Sequence, residues 1–118
     1  MSDNSRLITL TPILSGGIRV GTNGSNGSIT VSENTTLTAN NFLVFCDTIA
    51  ASGNITITLG ETTNQNIIYI IDSGGNSFTN NIIVQPASGT ISGQSSITIQ
   101  QNYTSLTIAT NGTNYFVI

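Results

Sequence analysis

The chain has 118 residues and a mass of 12.3 kDa, which is room for one domain around one core. Charged residues make up only 6% and comprise Arg6, Arg19, Asp3, Glu33, Asp47, Glu61 and Asp72. With a net charge of −3 and no His, the composition excludes nucleic acid and membrane surfaces as partners and removes the commonest general base and metal ligand.

Neutral polarity replaces charge. Thr, Ser and Asn fill 48 positions, interleaved with 18 Ile. Thr and Ile favour pleated, half-buried surfaces, so the chain is expected to be all strand and turn. Residues 1 to 6 carry no apolar segment behind a basic one, which predicts no secretion signal and synthesis in a cytoplasm. Six Asn-x-Ser/Thr triplets, at Asn23, Asn26, Asn34, Asn54, Asn102 and Asn111, are accordingly read as composition rather than as glycosylation sites.

The first strand signals are Leu7-Ile8-Thr9-Leu10 and Thr11-Pro12-Ile13-Leu14, with Pro12 marking an edge or an end because it lacks an amide donor. A loop rich in glycine follows, and its Asn23-Gly24 and Asn26-Gly27 pairs suit a hairpin joining Ile18–Val20 to Ile29–Val31. Then come residues 36 to 38, 42 to 46, 55 to 59 and 67 to 71. Beyond the Ser73-Gly74-Gly75-Asn76 turn lie 82 to 84, 89 to 91, 97 to 99, 105 to 108 and 115 to 118, the last two flanking Asn111-Gly112. Short strands at this spacing predict an antiparallel β-sandwich of jelly-roll type. Residues 1–20 are read as an amino-terminal arm and 21–118 as a single β domain.

Ile55, Ile57 and Leu59 alternate with Thr56 and Thr58, the pattern of a strand with one wet face, whereas 42 to 46, 67 to 71 and 115 to 118 are apolar on both sides. A chain this short can hardly cover both faces from itself, so another copy is expected to supply the cover. The residues assigned to that packing are Phe42, Val44, Ile68, Ile70, Tyr115, Phe116, Val117 and Ile118.

Few residues could do chemistry. The lone Cys46 sits in an apolar run and reads as a small buried hydrophobe. Asp47 and Asp72 could pair as glycoside-cleaving carboxylates, but each reads better as a turn residue accepting backbone amides. Asp72-Ser73-Gly74-Gly75-Asn76 lacks the acidic density of a calcium loop, and the glycine-rich loop matches neither a phosphate loop nor a dinucleotide fingerprint. No catalytic residue, metal or cofactor is assigned, and the chain is not expected to be an enzyme. Thr-x-Thr at 36 to 38 and 56 to 58 raises ice binding, which needs a fixed repeat that the irregular spacings do not provide.

From about residue 42 onward, an ordered series of phrases resembles a β domain that recurs in bacteriophage virion proteins, both capsid decoration (cement) proteins and tail-fibre tips. The series is Phe42-Leu43-Val44-Phe45-Cys46-Asp47, Ile55-Thr56-Ile57-Thr58-Leu59, Tyr69-Ile70-Ile71-Asp72-Ser73-Gly74-Gly75-Asn76, Ile82-Ile83-Val84-Gln85-Pro86, Gly89-Thr90-Ile91-Ser92-Gly93, Tyr103-Thr104-Ser105-Leu106 and Asn111-Gly112-Thr113-Asn114-Tyr115-Phe116-Val117-Ile118. Tyr115 stands where the family usually has Trp, Ile71 where Lys is common and Gly60 where Pro often follows. The resemblance implies an intertwined homotrimer located on the capsid surface, with the major capsid protein as partner. The arm residues Arg6, Leu7, Ile8, Leu10, Ile13, Leu14 and Arg19 are the expected contacts with the shell or a neighbouring protomer. Tyr69, Tyr103 and Tyr115 are further candidates for interface anchors. The alternative is a tail-fibre tip or receptor-binding module that recognises host glycans through Asn, Thr and Tyr on exposed loops.

Overall fold

The structure is a computed structural model and describes residues 27–38, 41–60 and 67–118. The expected arm, including Arg6 to Leu14 and Arg19, lies outside the described residues, as does Glu61. The described residues form nine strands and no helix: β1 (Ser28–Val31), β2 (Thr35–Thr36), β3 (Leu43–Cys46), β4 (Ile55–Thr58), β5 (Ile67–Asp72), β6 (Ile82–Gln85), β7 (Ile97–Ile99), β8 (Ser105–Thr110) and β9 (Tyr115–Val117).

Two sheets face each other, one of five strands in the order β1-β3-β5-β8-β9 and one of four in the order β2-β4-β6-β7. Through β6 the chain alternates between them, so that odd strands stack in parallel in the larger sheet and even strands in the smaller. Only β7, β8 and β9 join antiparallel to their neighbours. The antiparallel sandwich expected from the pattern is therefore corrected to two mixed sheets. Alternation along a strand reports which face is buried and carries no record of direction. Here each strand from β1 to β5 crosses to the facing sheet at a corner where a hairpin would have turned back. Ser28, Leu43 and Tyr69 stack in register although they are 15 and then 26 positions apart, because the connecting loops absorb the irregularity.

Ile29–Val31 pairs in parallel with β3, and its expected hairpin partner, residues 18–20, lies outside the described residues. The expected turn at Asn111-Gly112 does join two antiparallel strands. It is a four-residue loop in which Asn111 Oδ1 accepts the amides of Thr113 and Asn114, at 2.9 and 3.0 Å.

The core lies between the sheets. Val44, Cys46, Ile68, Ile70, Leu106, Ile108 and Tyr115 point inward from the larger sheet and meet Ile55, Ile57, Ile82, Val84 and Ile99 from the smaller, with Leu37, Leu59 and Ile91 closing the margins. Each fully buried aliphatic side chain contributes about 2 kcal/mol. Tyr115 reaches across and donates its hydroxyl to the carbonyl of Gly60 at 2.6 Å, which satisfies the one polar atom its ring carries inward.

Strand pattern dictates the two outer faces as well. On the larger sheet, Leu43, Phe45, Tyr69 and Ile71 point outward, half-buried, with Ile67 and Phe116 exposed beside them. Phe42 packs edge-to-face on Tyr69 there, ring centres 6.1 Å apart. On the smaller sheet the outward residues are Thr36, Thr56, Thr58, Gln85 and Thr98 around Ile83. The expectation that β3 and β5 are apolar on both faces matches what is seen, as does the wet face of β4.

Candidate binding site at the corner turns

β5 ends in Asp72, whose inward direction follows from the alternation that buries Ile68 and Ile70. Its side chain is 1% exposed. One carboxylate oxygen accepts the Thr48 hydroxyl at 2.6 Å and the Gly75 amide at 2.9 Å. The other accepts the amides of Ser77, at 3.1 Å, and Tyr103, at 2.9 Å. Burial raises the pKa of this carboxyl, but the hydrogen bonds from Thr48, Tyr103 and Ser77 outweigh it and hold the group down at about 2. Asp72 is thus a buried anion surrounded by donors that belong to three separate turns.

Further bonds tie the same turns together. Thr48 Oγ1 accepts the Asn76 amide at 2.8 Å, and Asn80 Nδ2 donates to the carbonyls of Thr48 and Ala51 at 2.8 and 3.2 Å. The Ser77 hydroxyl donates to Gln101 O at 2.7 Å, and the Phe78 amide donates to Asn102 Oδ1 at 2.9 Å. Among the described residues, no buried side-chain nitrogen or oxygen is left without a partner. Gly74 presses so closely on the backbone of Thr48 and Ile49 that a methyl group would not fit. Gly75, at φ +74°, lies under the Tyr103 ring, and Tyr103 itself takes the left-handed conformation at φ 61°.

Three large apolar side chains stand on this braced platform facing solvent: Ile49 at 69% exposure, Phe78 at 75% and Tyr103 at 74%. Each of the three turns contributes one. Exposed side chains on turns are ordinarily mobile, and ordering them on binding costs about 0.5–1.5 kcal/mol each. Here the backbone beneath them is fixed in advance by the Asp72 cluster. Large aromatic and aliphatic groups held proud of a surface on a fixed backbone are what a protein contact uses as anchors.

Sequence reasoning singled out Tyr103 but missed Ile49 and Phe78. Their signal was an isolated large apolar residue inside an otherwise polar turn, in Asp47-Thr48-Ile49 and Ser77-Phe78-Thr79. The residues assigned to packing between copies divide in two. Val44, Ile68, Ile70 and Tyr115 are in the core of the chain itself, at 4% exposure or less, and Phe42 is buried as well. Those five are already covered, so the assignment is corrected: the apolar residues left for a second copy are their outward neighbours Leu43, Phe45, Tyr69 and Ile71. Phe116, Val117 and Ile118 are exposed, although the Ile118 amide is bonded to Thr107 O at 2.9 Å.

Asp47 accepts the Ala50 amide through Oδ1 at 3.1 Å, as a turn residue does. Asp72 holds no proton at neutral pH and its oxygens already receive four hydrogens, so it is not poised as a general acid. A cation at Asp72 would have to displace those same donors. Among the described residues, no three His, Cys, Asp or Glu come together as a metal site. Cys46 is fully buried, and burial, followed by the nearby Asp72 charge, pushes its thiol up to about 12. It behaves as the core hydrophobe expected from its setting.

Comparison with protein-family models and with curated proteins finds no match to this chain.

Proposed function

We propose that this chain is a structural virion protein, a capsid decoration protein that binds and stabilises the phage head as a trimer. The observation that carries the binding role is the braced trio Ile49, Phe78 and Tyr103, three large apolar side chains 69–75% exposed on turns fixed around one buried carboxylate. The virion setting rests on the resemblance of the phrases from residue 42 onward. The apolar outer face of the larger sheet, with Leu43, Phe45, Tyr69 and Ile71, supports self-association, since such a face costs free energy when left in water.

In this reading copies meet through that outer face and the corner trio grips the major capsid protein. The mechanism is linkage: a protein that binds only the assembled shell lowers the free energy of that state, by about 2.7 kcal/mol per site at a hundred times its dissociation constant. Many copies acting together would resist pressure from packaged DNA.

The test is binding of the purified chain to empty expanded shells, with Phe78→Ala and Tyr103→Ala as variants. Each is expected to weaken shell binding tenfold or more while leaving the far-UV spectrum unchanged. Equal binding by wild type and both variants would remove the role assigned to the corner. Counting copies per virion separates the two virion locations, with hundreds expected for decoration and tens or fewer for a tail tip that recognises host glycans.

A further inference from the structure

The two sheets are unequal, and the inequality leaves a position open. At one end of the larger sheet, β9 is followed by the segment around Ile91, which bridges to Tyr115 in parallel. Ser92 N donates to Tyr115 O at 2.8 Å, and Tyr115 N donates to Thr90 O at 2.9 Å. Among the described residues, the smaller sheet stops at β7. Beside β7 lies a groove of about 460 Å³ with Ile97, Ile99 and Leu106 among its apolar lining and Gln100, Gln101 and Thr104 among its polar lining.

The backbone at that edge is available. The carbonyls of Asn81 and Gln85 accept amides from Ile55 and Leu59 on the β4 side, so Ile82 and Val84 direct their own groups toward β7. Ile97 and Ile99 are therefore tied to β6, and Thr98 presents its N–H and C=O away from the sheet. Among the described residues, no hydrogen bond reaches this far edge of β7. An unpaired edge beside an apolar groove is the arrangement that accepts an added strand, with backbone bonds giving affinity and the groove taking alternate side chains.

We propose that Leu7–Leu14 of a second copy occupies this position as the fifth strand of the smaller sheet. Three observations select that occupant. The described part begins at Gly27, which leaves 26 residues before it, among them the strand-forming Leu7-Ile8-Thr9-Leu10. No residue from 7 to 14 is charged and none lining the groove is charged, so insertion desolvates no ion. Pro12 lacks an N–H and would close the new edge against another strand. A second copy is the donor because β1 and β7 lie at opposite ends of their sheets. Copies set end to end bring the arm of one beside the groove of the next by the shorter path, whereas an arm serving its own chain would have to run back across the sheets, and the test below separates the two. The proposal concerns copies of this chain in solution, so its outcome is separate from that of the virion reading.

The test uses the full chain. Single cysteine variants at each position from Leu7 to Thr11 are mixed with Thr98→Cys under mild oxidation, with Cys46 buried in the core and so out of competition. Covalent dimers are expected at alternate positions of the arm, because a paired strand turns every second side chain to one face. A chain carrying both cysteines is expected to link to other chains. A link within one chain that persists on dilution overturns the choice of donor, and no link from any arm position overturns the site. As a second readout, Thr98→Pro removes an N–H that faces away from β6. It is expected to weaken self-association about fivefold or more with the strand content retained, since one backbone hydrogen bond is worth about 1 kcal/mol. Unchanged association of a folded Thr98→Pro chain overturns the proposal as well.

Discussion

The space between the sheets and the corner around Asp72 are equally dry, and opposite physics holds them. Between the sheets, Ile55, Ile57, Ile70, Ile82 and Ile108 are fully buried and contribute through area removed from water, with no preferred direction and no dependence on pH. At the corner, one carboxylate is as inaccessible as those isoleucines, and it is kept there by donors from residues 48, 75, 77 and 103. The core tolerates approximate shapes and tells the sheets only to face each other. The corner specifies which turn touches which, and it is the corner that carries the exposed trio. In a chain with so few ions, one buried charge does the positioning that many surface ion pairs cannot.

Removing the centre of the corner is the most damaging single change expected. Asp72→Ala leaves three amides and a hydroxyl facing a cavity, and the loss should reach about 4 kcal/mol or more in urea unfolding. Ile57→Ala, in the core, should cost about 3 kcal/mol through lost burial and the void it leaves. If the core change proved the costlier by a wide margin, the corner would be ornament rather than brace.

Acid separates the two regions. The folded carboxyl of Asp72 is held at about 2, below the unfolded value near 3.9, so its contribution is complete above about pH 5 and is lost as the pH falls from 4 toward 2. Thermal midpoints of the wild type should fall over that window. Asp72→Asn should start lower and stay flat across it, while Ile57→Ala should start lower and still show the acid limb.

Gly75→Ala forces a side chain into the left-handed region and against the Tyr103 ring, with an expected cost of about 1–2 kcal/mol and a change in Tyr103 fluorescence. Phe78→Ala sharpens the contrast from the other side. It should move stability by less than about 0.5 kcal/mol, because the side chain is exposed, while weakening partner binding tenfold or more. Cys46 reports on the core alone. Its thiol, raised to about 12, should react with a disulfide reagent only as fast as the chain opens.

Most strands were legible because alternation of Ile with Thr shows both that a segment is extended and which face is dry. β4, with Ile55 and Ile57 inward and Thr56 and Thr58 outward, is the clearest instance. β2, only Thr35–Thr36, is offset from the expected 36 to 38 by one residue at its start and two at its end, because Thr-Leu-Thr alternates without marking where pairing begins or stops. The role of Asp72 as a turn residue was also legible, since Asp before Ser-Gly-Gly-Asn has few other uses. Its partners were not, because Thr48 and Tyr103 lie 24 and 31 positions away and nothing local marks the distance.

The order of residues by itself determined that this chain is built of strands, that it carries almost no charge and, where Ile alternates with Thr as in β4, which side of the strand avoids water. Those are local properties, set by side-chain branching, polarity and a period of two. Tertiary structure alone decided that the strands run in parallel stacks, that Val44 and Ile70 are covered by the chain itself while Leu43 and Ile71 are left outward, and that Ile49, Phe78 and Tyr103 share one braced corner. Direction, pairing and convergence depend on how connections cross between sheets, and the energy that selects a crossing is spread over contacts between residues far apart in the chain.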